Sequence, residues 1–312
     1  MIPHGMLLAA GLGTRLGPLS QERPKPLLPL VDVPVIRYGL DLLRASGITR
    51  IAINLHHMGE QIREEFGDEA IYSEESEILG TGGGIKRMAE LLGGERFVVI
   101  NAKVAVDLDL PAVIDGHERR GALATMVVRP DPDSKRWGAI DVDATGRVRG
   151  MLAEGRHMFT GIHVIERALV ARIPQGPCDI VRTAYAEMVA ARGPLFAHAL
   201  AEGAFFAENS TPQRYLQANL ALLDGAWRAP WPTTGVSATA VVDGTAVLDE
   251  PVRVGAGARV GPGAWLRRCV VGRDAVVEAG ARVHDAVLWP GAVARGEISR
   301  CVLTPRGRVD AG

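Results

Sequence analysis

A chain of 312 residues with 47% hydrophobic and 23% charged residues is long enough for one large folded domain and a small one beside it. Lys and Arg number 35 against 36 Asp and Glu, a formal net charge of -1, and aromatic residues are 5%, a balance that argues against nucleic acid or an anionic membrane surface as the partner. Three scattered cysteines, Cys178, Cys269 and Cys301, read as small buried hydrophobes in a reducing, cytoplasmic compartment, and neither a membrane-spanning run nor a signal-peptide pattern is evident.

In chain order, Met6 to Ala10 (MLLAA) is an apolar run stopped by Gly11, which predicts a buried strand. Val35 to Ser46 carries Ile36, Leu40 and Leu43 at helical spacing and stops at Gly47, a C-cap signal. Ile48 to Leu55 reads as a second strand, Met58 to Phe66 as a short amphipathic helix, and Phe97 to Asn101 as a continuous apolar strand. Strand, glycine loop, helix, strand, helix, strand predicts a doubly wound, Rossmann-like α/β domain whose ligands lie at the carboxyl ends of the strands.

From Pro230 the texture changes to Pro, Gly, Thr, Val and Ala. Val236, Val242, Leu248, Val254, Val260 and Leu266 then recur every six residues, with Ala240, Ala246, Val252, Ala258 and Ala264 two positions earlier. After a slip of one residue the beat resumes at Val271, Val277 and Val283, with Ala275 and Ala281. A hexapeptide beat means three short strands per coil around a triangular prism, so a short left-handed parallel β-helix is predicted. The chain thus reads as an α/β domain over residues 1–228 and a β-helix over 229–312.

The chemistry concentrates in Gly11 to Ser20 (GLGTRLGPLS), followed by Pro24-Lys25-Pro26-Leu27. Glycines directly after a buried strand let the backbone approach a phosphate chain and aim N–H groups at it. Arg15 adds a planar donor for phosphate oxygens, and Lys25, held extended between two prolines, adds a second cation. Leu16 stands where a dinucleotide fingerprint needs its third glycine, and no Gly-Lys-Ser/Thr follows to make a Walker loop.

The ensemble of apolar strand, AAGxGTRLxPLS and PKPLLP resembles the signature of the sugar-1-phosphate nucleotidyltransferases, enzymes with a GT-A-like fold that make nucleotide sugars. The resemblance implies that Ala10, Gly11, Gly13 and Thr14 cradle a nucleoside triphosphate or nucleotide sugar. It makes Arg15 and Lys25 catalytic, neutralising phosphate charge as pyrophosphate leaves. Leu79 to Gly84 (LGTGGG) looks like the family's second glycine-rich loop, placing Gly80, Thr81 and Gly82 against base and ribose. Met158 to Val164 (MFTGIHV) looks like the strand lining the sugar 1-phosphate pocket, with Thr160 and Gly161 as sugar contacts. Phe205 to Tyr215 (FFAENSTPQRY) looks like the family's D-x-G-T-P-x-R-Y segment. A hexapeptide tail also occurs in this family, notably in mannose-1-phosphate guanylyltransferase-like members.

Two departures from that pattern bear on the metal. The reaction implied is in-line attack of a sugar-1-phosphate oxygen on the nucleotide α-phosphorus, with Mg²⁺ spreading the developing charge. The family holds this ion with two aspartates. Here Lys103 occupies the nucleotide-facing position of the first, in Asn101-Ala102-Lys103, and Glu208 that of the second, with Ser210 replacing a glycine. The family's Glu-Lys-Pro, whose lysine grips the sugar phosphate, has its nearest text in Glu154-Gly155-Arg156, which makes Glu154 a sugar-side candidate. A unit charge pair 4 Å apart is worth about 4 kcal/mol at an effective dielectric of 20, so Asp to Lys should abolish ordinary Mg²⁺ binding there. Asp to Glu is milder, but Mg²⁺ tolerates displaced ligands poorly.

Asp107 and Asp109 follow the strand end and read as solvated caps, with metal binding as the alternative. His56-His57 reads as a surface or capping pair. His284, in the β-helix, opens a third reading as an acyltransferase base, although no acyl-donor signature accompanies it. The β-helix suggests homo-oligomerisation, or association with an active paralogue, with Trp265 and Trp289 as interface candidates unless they pack on the α/β domain. Two functions stay open: a nucleotidyltransferase, or a non-catalytic regulatory subunit that binds a nucleotide sugar on the same fold.

Overall fold

The computed structural model describes residues 2–152 and 155–312, with the backbone alone at 136 and 137. The chain divides into two compact units: Met1–Leu12, Ile36–Val104 and Leu108–Ala204 form one, while Gly13–Val35, Ala105–Asp107 and Phe205–Gly312 form the other. The change in sequence texture near Pro230 therefore falls inside the second unit.

The first unit is built on a nine-stranded mixed sheet. His4–Leu8 lies within it, parallel to Ile51–Leu55 on one side and to Arg96–Asn101 on the other. Ile71–Glu74 extends the parallel part, while His157–Glu166 runs antiparallel to Arg96–Asn101 and pairs onward with Ala124–Pro130. Parallel strands need crossovers, and the helices Val35–Ala45, Gly59–Phe66 and Gly80–Leu92 supply them. Ile51–Leu55 is buried along its whole length, which explains why it is apolar rather than alternating. Its one polar interruption is the buried Asn54. Met6, Ile85, Met88, Phe97, Val99, Met126 and Ile165 form the core around the sheet.

One member of that core titrates. His163 is buried and its Nδ1 accepts the Tyr185 hydroxyl, and burial pushes its pKa down to about 3. An unfolded histidine titrates near 6.5, so below that pH the unfolded chain binds a proton the folded chain refuses. The stability is fully present above about pH 6.5 and falls as pH drops toward 3, by up to ~1.4 kcal/mol per pH unit. His163→Gln should flatten the pH slope of urea-unfolding stability between pH 6.5 and 4 by about one proton. An unchanged slope would place that titration elsewhere.

The C-terminal part of the second unit is a β-helix of parallel strands. Gly235 pairs with Arg253, Val241 with Arg259 and Val247 with Trp265, each eighteen residues on, which is one coil of three hexapeptides. The slip seen in sequence shortens the next coil by one residue, pairing Arg259 with Val276 and Trp265 with Arg282. Val254, Val260, Leu266, Val271, Val277 and Val283 point inward and are buried together with Ala258, Ala264, Ala275 and Ala281. Val236 is 47% exposed, on a strand that among the described residues pairs on one side alone, with Arg253 and Val254. At the other end Gly307–Asp310 folds back antiparallel on Cys301–Thr304. Cys269 and Cys301 are buried, and burial raises the Cys269 thiol to about 12, as suits an inert hydrophobe. Cys178 departs from that expectation: it is half-buried in the first unit, where it lies against glycines.

The helix Pro212–Leu223 completes the second unit. Thr211 caps it by accepting the Arg214 N–H, and Pro212 fits its first turn, where no N–H is needed. The Tyr215 hydroxyl donates to the Pro29 carbonyl, and Asn219 Oδ1 accepts the Val31 N–H at 2.8 Å. Trp289 is 1% exposed and its indole N–H donates to the Tyr215 oxygen at 3.1 Å. Trp289 is thus a packing residue within the unit rather than an oligomer interface, as the alternative from sequence had it. Trp265 is half-buried beneath the Arg282 guanidinium, 4.6 Å from its ring centre.

Candidate active site

In the first unit, register decides what meets. Leu8 aligns with Asn54 on one side and Asn101 on the other, so three parallel strands end at one edge. Ala9 to Gly11, His56-His57 and Ala102-Lys103 leave the sheet there. Ala10 is buried, whereas Gly11 is exposed and a Cβ added to it would meet nothing within 4 Å among the described residues. Ala102 N–H donates to the Leu8 carbonyl at 3.0 Å, which fixes the turn carrying half-buried Lys103. His56 Nδ1 bonds the Glu75 carbonyl at 2.8 Å, and Asp109 caps the helix Leu110–Arg119 by accepting the Ala112 N–H. Asp109 is thus a local cap, whereas His56 ties together the ends of two neighbouring strands.

Thr160 is buried, its hydroxyl donating to the Val127 carbonyl at 2.7 Å. Gly161 has φ of 83°, and a Cβ there would lie 2.1 Å from Asn101 Nδ2. Gly161→Ala combines strain with collision and should cost roughly 1–3 kcal/mol in chemical unfolding, with Asn101 displaced. A variant as stable as the parent would show that the strand yields. Glu154 lies outside the described residues. Its neighbours Gly155 and Arg156 line, with Pro130 to Lys135, a cleft of about 570 Å³.

The second glycine segment is a correction. Leu79 to Gly84 is not a loop: Gly80 begins a helix that runs to Leu92. The glycines serve close approach, because Cβ atoms on Gly82 and Gly83 would lie 2.6 Å from Cys178 Sγ and from the Gly176 carbonyl respectively. Gly82 N–H donates to the Cys178 carbonyl and Cys178 N–H to that of Leu79, both at 2.9 Å. Thr81 Oγ1 donates to Asp179 at 3.2 Å and accepts the Ile180 N–H at 3.0 Å, so its hydroxyl already has partners in the protein.

In the second unit, Gly13 adopts the left-handed conformation and opens a tight turn over Thr14–Leu16, closed by Leu16 N–H to the Gly13 carbonyl at 2.8 Å. Leu16 is buried as the anchor, and Thr14 and Arg15 face solvent. A Cβ on Gly13 would sit 3.3 Å from Ser20 Cβ and 3.5 Å from Lys25 Cβ, so the chain folds back to set Lys25 beside the glycine turn. Glu208 ends the strand Phe206–Glu208 and pairs with Arg214 at 3.0 Å.

Taken one by one, the residues that stand at the family's metal-ligand positions in sequence do not suit a divalent ion: Lys103 is itself a cation, and Glu208 Oε2 already pairs with Arg214. Among the described residues no three or more His, Cys, Asp or Glu gather as a metal-binding group. Nor is any described helix long and apolar enough to cross a membrane. Sequence reasoning passed over Arg214 and the buried Asn54–Glu75 pair; a polar residue inside an all-apolar strand was the available signal for the latter.

Residues 4–153 match the Nucleotidyl transferase family. The chain is 31% identical over 320 residues to a mannose-1-phosphate guanyltransferase of Yarrowia lipolytica, covering 93% of this chain and 87% of that protein. It is 29% identical over 298 residues to the mannose-1-phosphate guanylyltransferase of Mycobacterium tuberculosis, covering 92% and 79%. With the UTP–glucose-1-phosphate uridylyltransferase of Synechocystis it shares 31% over 197 residues, 55% of this chain, and spans about half of that relative's length, 51%. The crystal structure of HddC from Yersinia pseudotuberculosis complexed with GMP-PN shares the fold, with a TM-score of 0.60 at 23% identity over 69% of this chain and 97% of that one.

Proposed function

The chain belongs to the sugar-1-phosphate nucleotidyltransferases, and on that premise we propose that it joins a nucleoside triphosphate to a sugar 1-phosphate, releasing pyrophosphate, with Lys103 standing in for the family's metal ligand. A phosphate oxygen of the sugar attacks the α-phosphorus, that O–P bond forms, and the α–β bridging bond breaks with its electron pair leaving on pyrophosphate. No proton need move. The sheet edge set by the Leu8, Asn54 and Asn101 register supports this reading, because the chain leaves it on one side at Ala9 to Gly11 and at Ala102-Lys103. Arg15 and Lys25 meet phosphate charge from the glycine turn, Ala10, Gly11, Gly13 and Thr14 give the chain room, and the Lys103 ammonium supplies a fixed cation where the relatives of this family use a divalent ion. Gly80, Thr81 and Gly82 would lie on the base and ribose side through their backbone. Thr160, Gly161 and Glu154 belong to the sugar side, with Lys135 and Arg156 of the neighbouring cleft available to its phosphate.

GTP and mannose 1-phosphate are the first pair to try, after the names of the two relatives that span most of the chain. The rest of the reading comprises a reducing, cytoplasmic setting, a division at residue 228 into catalytic and β-helix parts, and self-association through the β-helix. Exposed Val241 and Val247 on its first coil support the last. A second reading, a nucleotide-sugar-binding regulatory subunit, is favoured by the Glu208–Arg214 ion pair, which occupies a carboxylate that the metal would need. Pyrophosphate release from a panel of nucleoside triphosphates and sugar 1-phosphates separates the two.

A further inference from the structure

Asn54 and Glu75 are buried polar side chains, 2% and 5% exposed, in the first unit and outside every motif named above. Ala9 N–H donates to Asn54 Oδ1 at 2.6 Å, Asn54 Nδ2 donates to Glu75 Oε1 at 2.7 Å, and Leu79 N–H donates to Glu75 Oε2 at 3.0 Å. The partners fix the amide orientation, since a backbone donor must face Oδ1 and a carboxylate must face Nδ2. A Cβ on Gly84 would lie 2.9 Å from Asn54 Nδ2 and 3.0 Å from Glu75 Oε1, so this buried helical glycine leaves room for the pair.

Ala9 opens the first glycine segment and Leu79 opens the second. They are seventy residues apart in sequence, yet three hydrogen bonds in series join them. Burial makes each link expensive to break, because an unmade hydrogen bond here leaves a desolvated group. We propose that Asn54 and Glu75 are positioning residues that set the spacing of the two glycine segments, and through it the affinity for the nucleotide. This rests on the nucleotide-binding reading of those segments.

The chemistry of the pair allows a swap. Asn54→Asp sets two carboxylates against each other, and Glu75→Gln leaves an amide that must present the wrong atom to one neighbour. The double variant Asn54→Asp/Glu75→Gln restores the series with the central donor reversed. The carboxylate at 54 accepts from Ala9 and from the glutamine amide, whose oxygen accepts from Leu79, and the net charge is unchanged.

Two measurements on the full chain decide the matter. The first is hydrogen–deuterium exchange without ligand. Asn54→Asp should raise exchange at residues 78–82, which are reached from Asn54 only through Glu75, and the double variant should return it to the parent level. The second is calorimetric binding of GTP, UTP, ATP, CTP and dTTP, followed with the tightest. Each single variant should weaken Kd at least tenfold, the double variant should recover to within about threefold, and the KM for sugar 1-phosphate should stay within twofold. Unchanged exchange at 78–82 in folded Asn54→Asp, or a double variant no better than the singles, overturns the proposal. A parent that binds none of the five nucleotides refutes the nucleotide reading instead, and the exchange result still judges the coupling.

Discussion

Replacing Arg15 by alanine is expected to lower pyrophosphate release by about 10²–10³-fold while leaving thermal unfolding unchanged. Arg15 is exposed on the turn Thr14–Leu16, where the neighbouring Leu16 does the packing. Its guanidinium is therefore dispensable for folding and available for phosphate. On the proposed reading, in which Lys103 stands in for a metal ligand, the remaining cations would carry more of the charge that develops on the leaving pyrophosphate. Arg15→Lys keeps the charge but loses the planar fork, and should recover only part of the rate. A rate within threefold of the parent in Arg15→Ala would show that the turn does not face the phosphates.

Trp289→Ala should be the most destabilising single change in the second unit, by about 3–5 kcal/mol in urea unfolding. The indole is 1% exposed, meets Tyr215 edge to face with ring centres 6.5 Å apart, and donates to the hydroxyl that also bonds the Pro29 carbonyl. Removing it opens a cavity and takes one partner from Tyr215 at once. Tyr215→Phe removes only the hydroxyl and should cost about 1 kcal/mol, plus the stranded indole N–H and Pro29 carbonyl. Because Pro29 follows Lys25 closely in the chain, both variants should also reduce nucleotide binding. A Trp289→Ala protein with parental stability would mean the site collapses without loss, which a buried indole of this size does not permit.

The parts of this molecule that were legible in sequence are those governed by period and by glycine. The six-residue beat from Val236 predicted the coils, and its one-residue slip reappears as a coil shortened by one residue between Arg259 and Val276. The apolar runs at Met6 and Phe97 each predicted a strand, although the first ends at Leu8 rather than Ala10, and the structure pairs the two side by side. Glycine runs were readable as close approach but not as secondary structure. Leu79 to Gly84 was expected as a loop from its resemblance to the family's second glycine-rich loop, whereas from Gly80 on it is helical and packs against Gly176 and Cys178 despite the low helix propensity of glycine. Pairings across long separations left no sequence trace. Nothing local to Glu75 announces Asn54, nothing local to Trp289 announces Tyr215, and Glu208 was read as a metal ligand without Arg214 in view. Such contacts depend on topology, which composition and spacing do not encode.

Lys103 is where the enzymatic and regulatory readings part, so the most direct measurement is pyrophosphate release by the parent and by Lys103→Asp, with Mg²⁺ present and GTP plus mannose 1-phosphate leading the substrate panel. The proposed function predicts turnover by the parent and at least a tenfold loss in Lys103→Asp, because a working cation has been exchanged for a carboxylate among phosphates. A silent parent that gains turnover on Lys103→Asp would contradict it, and would identify a nucleotide-binding protein that has given up metal catalysis.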